Sequence, residues 1–345
     1  MTAFDAASRL LRDAIAARVF PAAAAQVGSS DGPLWQQALG TLTFVEASAA
    51  TSIETPFDLA SLTKVMATAT GIMRLIHDGV LRLDEPVSSF FDEWRGEDRK
   101  PVTIRDLLEH SSGLSARLFD PPGQGRREFE HDICTMKLEY EPRSRSIYSD
   151  LGFILLGFIA ADRGVLNATD GGITFSPEPD VRRRAAPTIA MDEDLRRGEM
   201  LVGEVHDNYA AALGGVAGHA GLFGSAPAVG RFARTMLRAA RGESALPPPF
   251  SPELVRVFTT KSRVPGSSRA LGWDTMLPTS SCGTHMSASA FGHVGFTGTS
   301  LWIDPDRDRY FVLLTNRVCG GGTIDQMRDV RRAFHDALGS DANTR

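Results

Sequence analysis

The chain has 345 residues, 42% of them hydrophobic, enough to bury a large core in two domains or in one domain with an insertion. A formal net charge of -5 and a pI near 5.9 argue against a nucleic-acid or polyanion partner, and nearby acids make Arg126-Arg127 and Arg182-Arg183-Arg184 solvated loop charge. Cys134, Cys282 and Cys319 are odd in number and widely spaced, which points to neither a disulfide framework nor a zinc site.

Phe4, Leu10, Leu11 and Ile15, interrupted by Asp5, Arg9, Arg12 and Asp13, predict an amphipathic helix near residues 4–18 rather than an export signal, so the chain read from Met1 is expected in the cytoplasm. No run approaches the roughly 18 apolar residues of a membrane span. Residues 22–28 and 33–40, joined by Ser29-Ser-Asp-Gly, read as a hairpin. Helices are predicted at 62–77 before Gly79, at 104–110 before Gly113 and at 151–161 before Gly164, with Asp84-Glu-Pro-Val as a connector. Residues 165–215, rich in proline, glycine and charge, are expected as long loops that shape a cleft. Strand signals return at 270–276, 300–305 and 310–316, the last two forming a hairpin around Asp306-Arg-Asp. Trp273 and Trp302 there are core or cleft wall. A last amphipathic helix over 323–338 carries Met327, Val330, Phe334 and Leu338 on one face. Strands at both ends around a helical middle imply an α/β domain with an antiparallel sheet from 1–60 and 225–345, and a mainly helical domain over 61–224.

Ser61 and Lys64 stand one helical turn apart where a loop gives way to an apolar-periodic helix. Residues i and i+3 share a helix face, so the amine sits beside the hydroxyl, while a helix N-terminus offers free N–H groups and the positive end of the dipole. The pair therefore reads as a serine nucleophile with a built-in base, desolvated by Leu62, Val65, Met66, Ala69 and Ile72. Lysine is also scarce: Lys64, Lys100, Lys137 and Lys261 are the only four. Arginine, which carries the remaining positive charge, cannot serve as a base near neutral pH.

Ser61-x-x-Lys64, Tyr148-Ser-Asp150 and His293-Val-Gly295 occur in the order that one acyl-transfer mechanism needs. With Leu81-Arg-Leu-Asp-Glu-Pro-Val, Val102-Thr-Ile-Arg-Asp-Leu-Leu-Glu-His-Ser-Ser-Gly-Leu and Gly295-Phe-Thr-Gly-Thr-Ser, the chain resembles the serine β-lactamase and penicillin-binding-protein superfamily. The resemblance is to its class C-like branch, with D-alanyl-D-alanine carboxypeptidases and family VIII carboxylesterases. It implies a β-lactamase/transpeptidase-like fold, an antiparallel sheet flanked by helices beside a mainly helical domain. It also implies that Ser61 attacks a carbonyl, that Lys64 takes the proton directly or through Tyr148, and that the N–H groups of Ser61 and Phe296 form the oxyanion hole. Gly295 and Gly298 let the backbone approach a substrate.

Two departures bear on substrate. Asp150 stands where many members have asparagine, and as a carboxylate it is expected to hold Lys64 charged and favour Tyr148 as base, or to act as the helix N-cap. His293 stands where β-lactamases have the lysine of Lys-Thr-Gly, and a neutral imidazole is a poorer anchor for a carboxylate, so a less anionic substrate is expected. His219 is read as lining the cleft or as structural, and His206-Asp207 as a hydrogen-bonded loop pair rather than a metal site. The expected function is acyl-enzyme hydrolysis of carboxylic esters or small amides, with D-alanyl peptides and β-lactams next. No cofactor or metal is implied, and the alternative from another class is a non-catalytic ligand-binding protein.

Overall fold

Both ends of the chain contribute to one antiparallel sheet. The computed structural model describes residues 2–118, 123, 125–166 and 171–339; residues 167–170 of the segment read as cleft loops lie outside the described residues. The strands are β1 (Ala22–Ser29), β2 (Gly32–Gly40), β3 (Phe57–Asp58), β4 (Thr188–Ile189), β5 (Met200–Leu201), β6 (Phe223–Gly224), β7 (Asp274–Thr275), β8 (Phe291–Val294), β9 (Ser300–Asp304) and β10 (Arg309–Thr315). Six of them lie in the order β2-β1-β10-β9-β8-β7, while β3 pairs with β6 and β4 with β5. The helices are α1 (Ala3–Ala16), α2 (Thr70–His77), α3 (Ile104–Leu108), α4 (Arg126–Thr135), α5 (Asp150–Asp162), α6 (Pro179–Arg182), α7 (Asn208–Ala212), α8 (Ala226–Ala240), α9 (Pro252–Thr259), α10 (Arg317–Gly320) and α11 (Ile324–Gly339).

Period-two alternation sends the strands' side chains to two cores. Ala23, Ala25, Val27, Phe311 and Leu313 pack with α1 and α11, whereas Ala22, Ala24, Val312 and Leu314 join Val229, Ala233 and Met236 of α8 in the core that continues into the helical region. All eight residues of β1 are therefore buried, as in a strand covered on both faces. Register places Ala25 opposite Leu313 in β10 and Gln37 in β2. Trp273 and Trp302 are core residues, 1% and 0% exposed. No described helix is long and apolar enough to cross a membrane.

Several elements differ from the sequence-based expectation. The helix predicted over 62–77 opens with a π-helical segment, Lys64–Ala69, before α2. Asp150 is the first residue of α5 and Ser149 is the cap, its hydroxyl accepting from Gly152 N at 3.4 Å. This leaves the Asp150 carboxylate free to reach elsewhere. The expected strand at 270–276 shrinks to β7, because Gly272 turns at φ +85° and gives its N–H to Leu108 O. His293 lies within β8, not ahead of a strand. The 165–215 stretch contains α6, α7 and the β4–β5 pair, and α4, α8 and α9 fall outside the predicted helices. On α11 the buried face includes Arg331 and His335 besides Met327, Phe334 and Leu338, and Val330 is only partly buried.

Candidate active site

Ser61 sits at a tight entry into the π segment. Ala60 before it is in the left-handed region, φ 48°, unusual for a residue with a side chain, and its N–H is held by Asp58 Oδ1 at 2.8 Å. Successive i+3 bonds, ending with Lys64 N to Ser61 O at 3.1 Å, wind the turn tightly enough to bring positions 61 and 64 into line.

Lys64 is completely buried, and its ammonium donates to three acceptors: Asp150 Oδ1 at 2.8 Å, His219 O at 3.0 Å and Ser61 Oγ at 3.1 Å. An ammonium has three protons, so all are committed and none of its positions can accept the serine proton. Burial opposes the charge, but the Asp150 carboxylate and the Tyr148 phenol outweigh it, and the lysine pKa lies above its ordinary value. The His219 carbonyl reaches this position because Gly157 of α5 and Gly218 touch backbone to backbone. A Cβ on Gly157 would stand 2.6 Å from Gly218 Cα. Thr68 Oγ1 ties the π segment to Gly218 O at 2.6 Å.

A cavity of about 400 Å³ opens beside this pair, lined by Ser61, Tyr148, Asp150, His293, Gly295 and Phe296 among others. The Tyr148 ring centroid lies 4.9 Å from Lys64 Nζ and 4.9 Å from the Arg269 guanidinium. Negative charge carried by its oxygen during a proton transfer thus meets two cations. His110 packs against the same ring at 4.8 Å and accepts from Ser149 N through Nδ1 at 3.1 Å. Burial, with Arg269 and Lys64 nearby, holds both His110 and His293 well below the ordinary histidine pKa. His293 bonds Val294 O at 2.9 Å through Nδ1, and its Nε2 has no partner among the described residues.

Two sequence expectations are corrected. The His219 side chain does not line the cavity: it is 1% exposed, and Nε2 lies 2.7 Å from Asp207 Oδ1, so only its carbonyl serves the site. His206 and Asp207 do not bond each other. His206 gives its N–H to Asp58 Oδ2 at 2.7 Å and stacks on Phe296, while Asp207 accepts from Arg117 Nη1 at 3.1 Å and Ala210 N at 2.9 Å. Burial would raise the Asp207 pKa, but His219 and Arg117 hold it well below the carboxylate range. Among the described residues no group of three His, Cys, Asp or Glu side chains is placed to hold a metal ion.

The sequence reading missed four arginines. Arg117 bridges Asp150 Oδ2 and Asp207 Oδ2, both at 3.1 Å, and lies 3.9 Å over the Tyr209 ring. Arg269 projects beside Tyr148 with only a 3.9 Å approach to Asp274. Arg317 and Arg331 donate to the carbonyls of Phe296 and Gly295 and line the same cavity. None of the four carries a local sequence signal.

The Beta-lactamase family model matches residues 7–333. A protein of Escherichia coli K12 named "Putative D-alanyl-D-alanine carboxypeptidase" is 31% identical over 306 residues, 76% of this chain and 69% of that one. Among solved structures, EstCE1, described as a hydrolase with promiscuous acyltransferase activity, superposes with a TM-score of 0.75 at 18% identity over 96% of this chain and 98% of its own. A class C beta lactamase from Rhodobacter sphaeroides gives 0.74 at 19% identity over 97% and 98%.

Proposed function

The chain belongs to the beta-lactamase family of serine hydrolases, and on that premise we propose that it hydrolyses small carboxylic esters or amides through an acyl-enzyme on Ser61. The observation that carries this reading is the Ser61 hydroxyl 3.1 Å from a buried, ion-paired Lys64 at the floor of a cavity shared with Tyr148.

In the first half-reaction Ser61 Oγ bonds to the substrate carbonyl carbon while its proton passes to Tyr148, which reacts as the phenolate beside the Lys64 and Arg269 cations, since Lys64 is already protonated. The oxyanion is held by the N–H groups of Ser61 and Phe296. Collapse breaks the bond to the leaving group, which takes the proton from Tyr148. In the second half-reaction water adds to the acyl-enzyme, gives a proton to Tyr148, and Ser61 leaves with that proton restored. Asp150 and Arg117 keep the lysine charge in place throughout.

A second reading, a D-alanyl peptide or another carboxylate-bearing amide, is favoured by Arg269. His293 is held neutral and is a weak carboxylate anchor, but the Arg269 guanidinium beside it is spared any close ion pair and faces the same cavity. The test compares p-nitrophenyl butyrate, a D-alanyl-D-alanine peptide and a chromogenic cephalosporin, with adduct mass read on the intact protein. Turnover lost in Ser61→Ala supports the acyl-enzyme; neither turnover nor a Ser61 adduct with any probe refutes it. For the peptide reading, Arg269→Gln is expected to raise KM for the peptide about tenfold while sparing the neutral ester. Equal effects on both probes count against it.

A further inference from the structure

We infer that Arg331, on α11, is a positioning residue of the oxyanion hole, acting through the Gly295–Phe296 peptide group; the inference rests on the acyl-enzyme reading above. The carbonyl of Gly295 and the N–H of Phe296 belong to one amide. Arg331 Nη2 donates to that carbonyl at 2.6 Å and to Thr299 O at 2.9 Å. A charged donor on the oxygen draws electron density from the nitrogen, so the N–H at the other end becomes a stronger donor, and the same bond fixes the plane in which it points.

The surroundings show that the arrangement is built rather than incidental. Arg317 holds the next amide, donating to Phe296 O through Nη2 at 2.6 Å and Nε at 3.2 Å, with its guanidinium 4.7 Å from the Phe296 ring. The hydroxyls of Thr297 and Thr299 reach across to Asp58 O at 2.8 Å and Leu59 O at 3.0 Å, just before Ser61. The two turns that carry the two oxyanion donors are thereby stapled to each other. Gly295 is needed at the seam, because a Cβ there would overlap Thr299 Oγ1 and stand 2.7 Å from Leu59 O.

Charge makes the case for function over scaffolding. Arg331 is 7% exposed, its Nε has no partner, and neither it nor Arg317 forms an ion pair among the described residues. A buried cation without a carboxylate is costly, and a neutral donor would suffice to tie two carbonyls. Arg331 also lines the cavity, so the negative charge this cation meets comes with the reaction, on the substrate oxygen held by the next N–H.

The test uses Arg331→Met and Arg331→Lys. Hydrolysis of p-nitrophenyl butyrate gives kcat and KM, phenylboronic acid mimics the tetrahedral adduct, and a fluorophosphonate labels Ser61. We expect Arg331→Met to lower kcat roughly 10- to 100-fold, below the loss from removing a donor outright, with KM within about twofold and boronate affinity falling in proportion to kcat. Arg331→Lys, a point charge without the planar reach, should fall between. A folded Arg331→Met enzyme with kcat and boronate affinity within threefold of wild type would overturn the inference, as would losses confined to KM. If Arg331→Met does not fold, Arg331→Lys decides alone, and values within twofold of wild type overturn it. Failure of the wild type to form a Ser61 adduct would remove the acyl-enzyme reading and this inference with it, whereas equal labelling rates in wild type and variants would remove only the inference.

Discussion

Replacing Asp150 by asparagine isolates what the carboxylate does for Lys64. The change is isosteric and leaves an oxygen to accept from the ammonium, but removes the charge 2.8 Å from a completely buried lysine. Breaking one side of a buried pair costs about 3–5 kcal/mol. The lysine has an escape, which is to release its proton; with an ordinary pKa of 10.5, doing so at pH 7 costs about 4.8 kcal/mol and at pH 9 about 2 kcal/mol. The stability deficit of Asp150→Asn should therefore stand near 3–5 kcal/mol at pH 7 and shrink to about 2 kcal/mol at pH 9. In the wild type the lysine pKa is raised, so its pairing stabilises the fold below pH 10.5 and is lost only above it. With an unfolding entropy of about 2.1 cal/mol/K per residue, 3–5 kcal/mol over 345 residues lowers Tm by about 4–7 °C. Urea unfolding at pH 7, 8 and 9 measures the deficit, and ester hydrolysis over the same range shows whether a neutral Lys64 now serves as base, with the variant gaining on the wild type as pH rises. A deficit below about 1 kcal/mol, or one that does not change with pH, refutes the reasoning.

Tyr148→Phe should keep the fold and lower kcat on p-nitrophenyl butyrate by roughly 10²–10⁴, the range for a general acid–base group, with KM little changed; a fall under fivefold would return the proton to Lys64. Acid should destabilise the protein from about pH 6.5 downward, because His110, His206, His293 and His335 are buried neutral while the unfolded chain takes up their protons. Each contributes a slope of about 1.4 kcal/mol per pH unit. Asp58 opposes them, since burial raises its pKa to about 6 and the folded form holds its proton longer. Urea midpoints at pH 7, 6 and 5 check the sign, and His335→Gln should flatten the profile by one such slope.

The candidate cluster was legible where its residues lie within contiguous stretches. Ser61 and Lys64 share one turn, and Tyr148 and Asp150 adjoin a helix start, so short-range spacing already joins them. Arg117 was not legible: its partners Asp150 and Asp207 are 33 and 90 residues away, and nothing distinguishes it locally from any other arginine. Arg331 was harder still, because it occupies a position on the buried face of α11 where the pattern predicts an apolar side chain, and its partners lie 32 and 36 residues away. His219 was singled out for its ring, while the structure uses its carbonyl, which no residue type announces. The π segment likewise follows from packing, with Thr68 and Lys64 both drawn to the carbonyls of Gly218 and His219.

The pairing of β1 with β10 also has a consequence for synthesis. Ala22 and Asn316, bonded at 3.1 Å, are 294 residues apart, so the inner edge of the first hairpin has no strand to meet until nearly the whole chain has left the ribosome. At about 5–20 residues per second that wait is roughly 15–60 s. Throughout it, β1 presents alanines and Val27 on an open edge that the finished protein buries completely. The nascent chain thus passes through a window in which a chaperone, or a second nascent copy, competes with its own C-terminus for that edge.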